Sequence, residues 1–107
     1  MYHDLPWSKA EKQVARKAFE AAYERECRAI RAKVVQMLES NDDVHQIWRI
    51  HDYLSEERRE VGRKYDYRYS VLDMVFARLI REGWLKGAEL AGLGQDKIQR
   101  IKGYASL

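Results

Sequence analysis

Only one cysteine, one proline and six glycines occur among the 107 residues, and no glycine precedes Gly62. Each scarcity excludes something. A lone Cys27 can neither close an internal disulfide nor build a thiolate metal cluster, and it agrees with a reducing compartment. It reads as a small residue on a helix face. Histidines are equally few: His3, His45 and His51 do not form the i, i+4 pair on one helix face that zinc sites use, so neither metal nor cofactor is expected. No apolar run approaches the roughly 18 residues of a membrane-spanning helix. Met1–Ser8 shows no basic segment leading into an apolar one, which with the lone thiol points to the cytoplasm. With 46% hydrophobic and 35% charged residues the chain is built to fold, and its length suits one modest core, so residues 1–107 are expected to form a single domain.

A block of one charge is also missing. The formal charge of +3 invites a nucleic-acid reading, but it divides into −1 from Asp4, +3 over residues 8–40, −1 over 41–69 and +2 over 70–107, with acids and bases alternating throughout. Most of these charges read as solvated helix faces.

With the two strongest helix breakers absent, helix dominates. Ser8-Lys9-Ala10-Glu11 has the form of a capping box, in which the two side chains satisfy backbone N–H groups at a helix start. The helix that follows should run to about Glu39, long enough to project beyond its own core. At about 100° per residue, Phe19, Tyr23, Ile30, Val34 and Met37 fall on one stripe with Cys27 at its edge. Val14, Ala18, Ala22, Ala29 and Ala32 form a neighbouring face of small side chains that a second helix can approach closely. Two faces on one helix predict that it serves both its own head and a second copy of the chain, a homodimer. Asn41-Asp42-Asp43 offers cap chemistry for a second helix from near Val44, with a kink recapped at Ser55 and a break or C-terminus at Gly62. A third helix is expected from Ser70 to Glu82, with Val71, Leu72, Val75, Phe76, Leu79 and Ile80 inward and Gly83 as its stop. Short helices around 85–90 and 95–104 complete the tail. The fold class is therefore all-α: a stalk helix over about 8–40, then a second helix and compact head over about 41–107.

On the second helix Ile47, Ile50, Leu54 and Val61 share the expected inward face. Trp48 sits about 120° away with Asp52, Ser55 and Arg59, flanked by His51 and Arg58. A large aromatic beside His, Asp and Arg is the composition of a protein-binding hot spot. His51 and Asp52 are adjacent and point about 100° apart, and no Ser or Cys nucleophile stands in a recognisable motif, so no enzyme is expected. Near the C-terminus, Leu90-Ala91-Gly92-Leu93-Gly94 followed by Ile98 and Ile101 imitates the turn of helix-hairpin-helix modules, which hold a phosphate on backbone N–H groups. Asp96 in that first turn would repel one.

Several segments belong together: Pro6-Trp7-Ser8-x-Ala10-Glu11, Ala22-Tyr23-x-Arg25-Glu26, Trp48-x-x-His51-Asp52-Tyr53-Leu54-Ser55-x-x-Arg58, Lys64-Tyr65-Asp66-x-Arg68-x-Ser70-Val71 and Val75-Phe76-Ala77. At this spacing, over nearly the whole chain, they resemble the fluorescence recovery protein family of cyanobacteria. The resemblance implies an all-helical homodimer that binds the photoactivated orange carotenoid protein. It would speed that protein's return to the resting orange form and so end energy quenching at the phycobilisome, with no covalent change. It implies a cytoplasmic location, peripheral to thylakoid-associated phycobilisomes. It assigns the partner-binding and dimer patch to Trp48, His51, Asp52 and Arg58, with Asp52 and Arg58 pairing across the dimer. A second contact on the head would comprise Met74, where the family has phenylalanine, Arg100, where it has lysine, and Lys102. The alternatives are a helical adaptor of the same fold with another protein partner, and a small nucleic-acid-binding module.

Overall fold

The structure, a computed structural model, describes residues 6–106. It is all-α. Helix α1 spans Lys9–Ser40, α2 Gln46–Lys64, α3 Leu72–Glu82 and α4 Gln95–Ala105, with one 3₁₀ turn at Gly87–Leu90. The capping box forms as read: Glu11 Oε1 accepts from the Ser8 N–H at 2.9 Å, and Ser8 Oγ accepts from the Glu11 N–H at 3.1 Å. From there α1 runs unbroken for 32 residues and sets the 55 Å long axis of the molecule.

The second helix folds back along the far half of α1. In the turn, Asn41 Oδ1 accepts from the Asp43 N–H and Asp43 Oδ1 from the His45 N–H. Gln46 Nε2 then donates to the Met37 carbonyl at 2.9 Å and fastens the start of α2 to the end of α1. At the other end of α2 the Lys64 ammonium reaches back to Glu26. Between these anchors Ile50 is buried, and Ile30, Val34 and Met37 on α1 are half-buried. The far part of the predicted stripe, Ile30, Val34 and Met37, is thus half-covered by the chain's own second helix.

Tyr65, Tyr67 and Tyr69 follow in an extended segment. Residues i and i+2 share a side there, so all three rings reach α1 and its approach. Tyr65 and Tyr67 meet Phe19 edge-on at 5.4 and 4.8 Å between centroids, and Tyr69 meets Trp7 at 5.4 Å. Helix α3 carries most of the head core through Leu72, Phe76 and Leu79, which pack with Leu85, Leu90, Leu93 and Ile101. This head sits on Ala15, Ala18 and Ala22. Their small side chains let it approach the helix closely. Gly83, at φ 85°, ends α3 in the left-handed region that favours glycine.

Three expectations are corrected. Helix α2 is continuous through Ser55 and Gly62 to Lys64. Its buried face continues to Val61 and Lys64, and that burial outweighs the roughly 1 kcal/mol that a helical glycine costs. Helix α3 begins at Leu72, so Ser70 lies in the preceding turn. Ile47 and Leu54 do not point inward: they are 60% and 41% exposed, because α1 covers only the sector of α2 centred on Ile50 and Val61. Among the described residues, no helix is long and apolar enough to cross a membrane, and no group of acidic, His or Cys side chains could hold a metal. His3 lies outside the described residues.

Candidate functional site

Two ionic clusters fix the head to α1 and thereby orient α2. Lys64, almost wholly buried, donates to Glu26 Oε2 and Glu82 Oε1, both at 2.7 Å, while the Tyr65 hydroxyl donates to Glu26 Oε1 at 2.8 Å. Arg78 bridges Glu82 and Glu60 at 2.8 and 2.6 Å. Burial pushes the Glu82 carboxyl up, but the bonds from Lys64 and Arg78 outweigh it and hold the group below the ordinary glutamate value. Burial, then the bond to Glu26, raises Tyr65 far above the ordinary tyrosine range. Sequence reading missed this cluster. Its signal was available: Glu26 continues the spacing of Ala15, Ala18 and Ala22, so a carboxylate stood at a buried position and required a buried cation.

The other cluster joins the start of α1 to the tail. Glu11 caps α1, accepts from the Gly94 N–H at 2.7 Å and meets Lys97 Nζ at 3.1 Å, while Lys97 also donates to the Pro6 carbonyl at 2.6 Å. The bond from the Ser8 backbone is the main cause that lowers Glu11 to about 2, with Gly94 and Lys97 adding to it. This arrangement weighs against the phosphate-binding reading of Gly92-Leu93-Gly94. The N–H of Gly94, the N-cap of α4, already serves a carboxylate, and the Asp96 and Glu11 oxygens lie 2.6 and 3.1 Å from where a side chain at Gly94 would begin. On the far side Arg25 clamps Glu89 through two bonds of 2.8 and 2.6 Å, which lower that carboxyl to about 2.

The opposite end of the molecule is unlike this. Trp48 is 65% exposed, Leu38 58% and Val44 78%, beside the exposed Ile47 and Leu54. Helical geometry puts Leu54, Ile47, Arg58, His51 and Trp48 in successive directions along one flank of α2. On α1, Tyr23 and Leu38 are exposed as well. Tyr23 is itself raised above the ordinary tyrosine value, chiefly through its hydrogen bond with the Cys27 thiol one turn on.

Of the four residues expected to form the patch, Trp48, His51 and Asp52 meet on α2, and Arg58 lies on the same helix without a contact to them. The Trp48 and His51 rings meet edge-on with centroids 6.4 Å apart. His51 Nδ1 stands 3.5 Å from Asp52 Oδ1, the outer limit of a hydrogen bond, and both side chains are exposed. Arg58 has no carboxylate partner among the described residues, and Asp52 does not reach it. Trp48 is not packed under a neighbouring helix. The expected head contact is divided: Met74, 51% exposed, lines a groove with Val71, Arg78 and Tyr104, whereas Lys102 lines another with Ile80, Leu90 and Ile98. Arg100 holds Asp73, next to Met74, at 3.3 Å. Among the described residues no group of side chains here could hold a metal. The exposed face carries Trp48 with His51 and Asp52 beside it, and an Arg58 that has no carboxylate partner among the described residues.

A family model described as the photoprotection regulator fluorescence recovery protein matches residues 7–105. The fluorescence recovery protein of Synechocystis sp. PCC 6803 is 40% identical over 104 residues, which span 97% of this chain and 95% of that relative. The solved fluorescence recovery protein of Fremyella diplosiphon is similar at a TM-score of 0.87 and 45% identity, over 95% of this chain and 100% of the other. The Synechocystis structure gives 0.88 at 41% identity over the same shares.

Proposed function

The chain belongs to the fluorescence recovery proteins, a family of photoprotection regulators and not of enzymes, and from that membership we propose that it binds the photoactivated orange carotenoid protein and accelerates its return to the resting orange form. The observation that carries the site is the distal end: Trp48 exposed beside His51 and Asp52, an Arg58 with no carboxylate partner among the described residues, and Leu38, Ile47 and Leu54 uncovered. An exposed apolar face of that kind marks an interaction site. In this reading residues 1–107 act as one helical domain, two copies associate through the face, and Asp52 of one pairs with Arg58 of the other. Met74, Arg100 and Lys102 supply a further contact from the head.

Acceleration without covalent chemistry requires only that the compact arrangement of the carotenoid protein bind more tightly than the separated one. A rigid two-point scaffold suits that task, since binding energy is spent on the partner's shape rather than on ordering this chain. The regulator would act in the cytoplasm, beside thylakoid-associated phycobilisomes. The test is the dark recovery of photoactivated orange carotenoid protein, followed by absorbance with and without this chain. Recovery accelerated at substoichiometric amounts supports the proposal. Unchanged recovery at stoichiometric excess, with the chain folded, rejects it in favour of an adaptor for another protein.

A further inference from the structure

We propose that the first turns of α1 form a second, electrostatic docking surface, in which Lys9, Lys12, Arg16 and Lys17 receive the carboxylates of an acidic protein face. This rests on the reading that the chain acts on a protein partner, and adds where that partner is first attracted.

The starting observation is a contrast in pairing. Further along the same helix Arg25 is held by Glu89 and Arg28 by Glu24, and in the head Lys64, Arg78, Lys97 and Arg100 all have carboxylate partners. None of the four cations of residues 9–17 has one among the described residues. Glu11 is turned to the other side and engaged by Ser8, Gly94 and Lys97. Glu24 serves Arg28, so among the described residues that line this surface Glu20 is the one carboxylate without a cation bound to it.

Two of the four are held in place without being neutralised. The Arg16 guanidinium lies 3.8 Å from the Tyr67 ring centroid and Lys12 Nζ 5.1 Å from that of Tyr69. Those rings are themselves fixed edge-on against Phe19 and against each other. A guanidinium stacked on a ring keeps its in-plane N–H donors pointing outward and has lost its conformational entropy in advance, the condition for bidentate capture of a carboxylate. At 1.5 Å per residue the stripe is about 12 Å long. All the residues that line its shallow depression belong to α1, so there is no second wall to enclose a small ion. A broad, open, pre-arranged row of cations fits the face of another macromolecule.

Two features favour a protein over a nucleic acid. The tyrosine faces that would stack on bases already carry the cations. Four cations also fall below the roughly six to ten phosphate contacts that give a duplex-binding protein its affinity. The surface lies about 30 Å along α1 from the level of Trp48, counting from Arg16 to Met37, where α2 is fastened. Association of two copies through the distal face leaves it open. A partner touching both places is oriented along the stalk, and the first contact raises the effective concentration of the second.

The experiment is stopped-flow association with photoactivated orange carotenoid protein across a series of ionic strengths. It compares the wild-type chain with a Lys12→Glu, Arg16→Glu, Lys17→Glu variant and with the single variant Arg16→Lys. The triple variant is expected to associate at least tenfold more slowly at low salt and to lose most of the salt dependence. Its recovery rate at saturating concentration should stay within twofold of wild type. Arg16→Lys, which keeps the charge and the fold, should retain at least half the wild-type rate. Equal rates and equal salt slopes for wild type and triple variant overturn this proposal and leave the function standing. No wild-type association at all overturns both. Salt-sensitive binding of a DNA duplex or of phosphatidylglycerol vesicles, lost in the triple variant while association with the carotenoid protein is unchanged, assigns the stripe to phosphates and overturns the protein reading.

Discussion

The two halves of α1 share one helix and nearly one composition, yet they solve opposite problems. The near half is covered: Ala15, Ala18 and Ala22 are buried under the head, and Glu11, Arg25 and Glu26 each bond to residues far along the chain. The far half has one companion, α2, which half-buries Ile30, Val34 and Met37 and leaves Leu38, Ile47, Trp48 and Leu54 in the open. One end is satisfied within the chain, and the other leaves apolar side chains uncovered.

The largest effect should come from breaking the satisfied end. Lys64→Met leaves the buried Glu26 carboxylate without its cation, and losing one partner of a buried pair costs about 3–5 kcal/mol. Urea unfolding should show a matching fall in midpoint. A loss near zero would mean that the near half is not the stability centre. At the other end, Leu38→Glu with Ile47→Glu places two charges on the apolar face. Light scattering should then report the monomer mass while far-UV circular dichroism stays unchanged. A monomer mass for the wild-type chain at micromolar concentration would remove the homodimer from the proposed function.

Acid gives a third, smaller effect on the same contrast. A carboxyl lowered in the folded state contributes stability in full above its unfolded value and loses it as pH falls through the folded one. For Glu11, lowered from 4.5 to about 2, the window is therefore pH 4.5 down to about 2. Glu11→Gln should cost on the order of 2 kcal/mol at neutral pH, and the gap to wild type should close across that window. Denaturation midpoints measured at pH 7 and pH 3 would check the sign. A gap that widened in acid would show that Glu11 is not held as the carboxylate.

Much of this division was legible in the chain itself. The capping pair Ser8 and Glu11, the absence of glycine before Gly62 and the stop at Gly83 mark local preferences, and local preferences persist in the fold. The displacement of Trp48 from the inward face was equally readable, since it depends only on helical period. What failed was the width of the covered sector. Period places Ile47 and Leu54 near Ile50, but only the position of α1 decides that Ile50 is buried while its neighbours are not. Gly62 misled for a related reason: the cost of a glycine is local, and the burial that overrides it comes from another helix. Lys64 and Glu26 lie 38 residues apart, so their pairing has no local signature beyond a carboxylate in an alanine register.

The smallest effect on stability should fall at the far end, where the effect on function is greatest. Trp48→Ala removes a side chain that is 65% exposed, so unfolding should shift by no more than about 0.5 kcal/mol. Arg58→Ala should behave alike, since it breaks no bond to a carboxylate among the described residues. Both should still lower the acceleration of carotenoid-protein recovery or the strength of copy-to-copy association, because truncating an interface aromatic or arginine commonly costs about 2 kcal/mol or more, some thirtyfold in affinity. Running recovery and light scattering on each variant separates the two duties of the face. Slowed recovery with an intact dimer mass assigns Trp48 to the partner, and dissociation assigns it to the twin subunit. Wild-type behaviour in both assays would mean that the exposed aromatic has no role in binding, and the contrast between the two ends would then be one of packing alone.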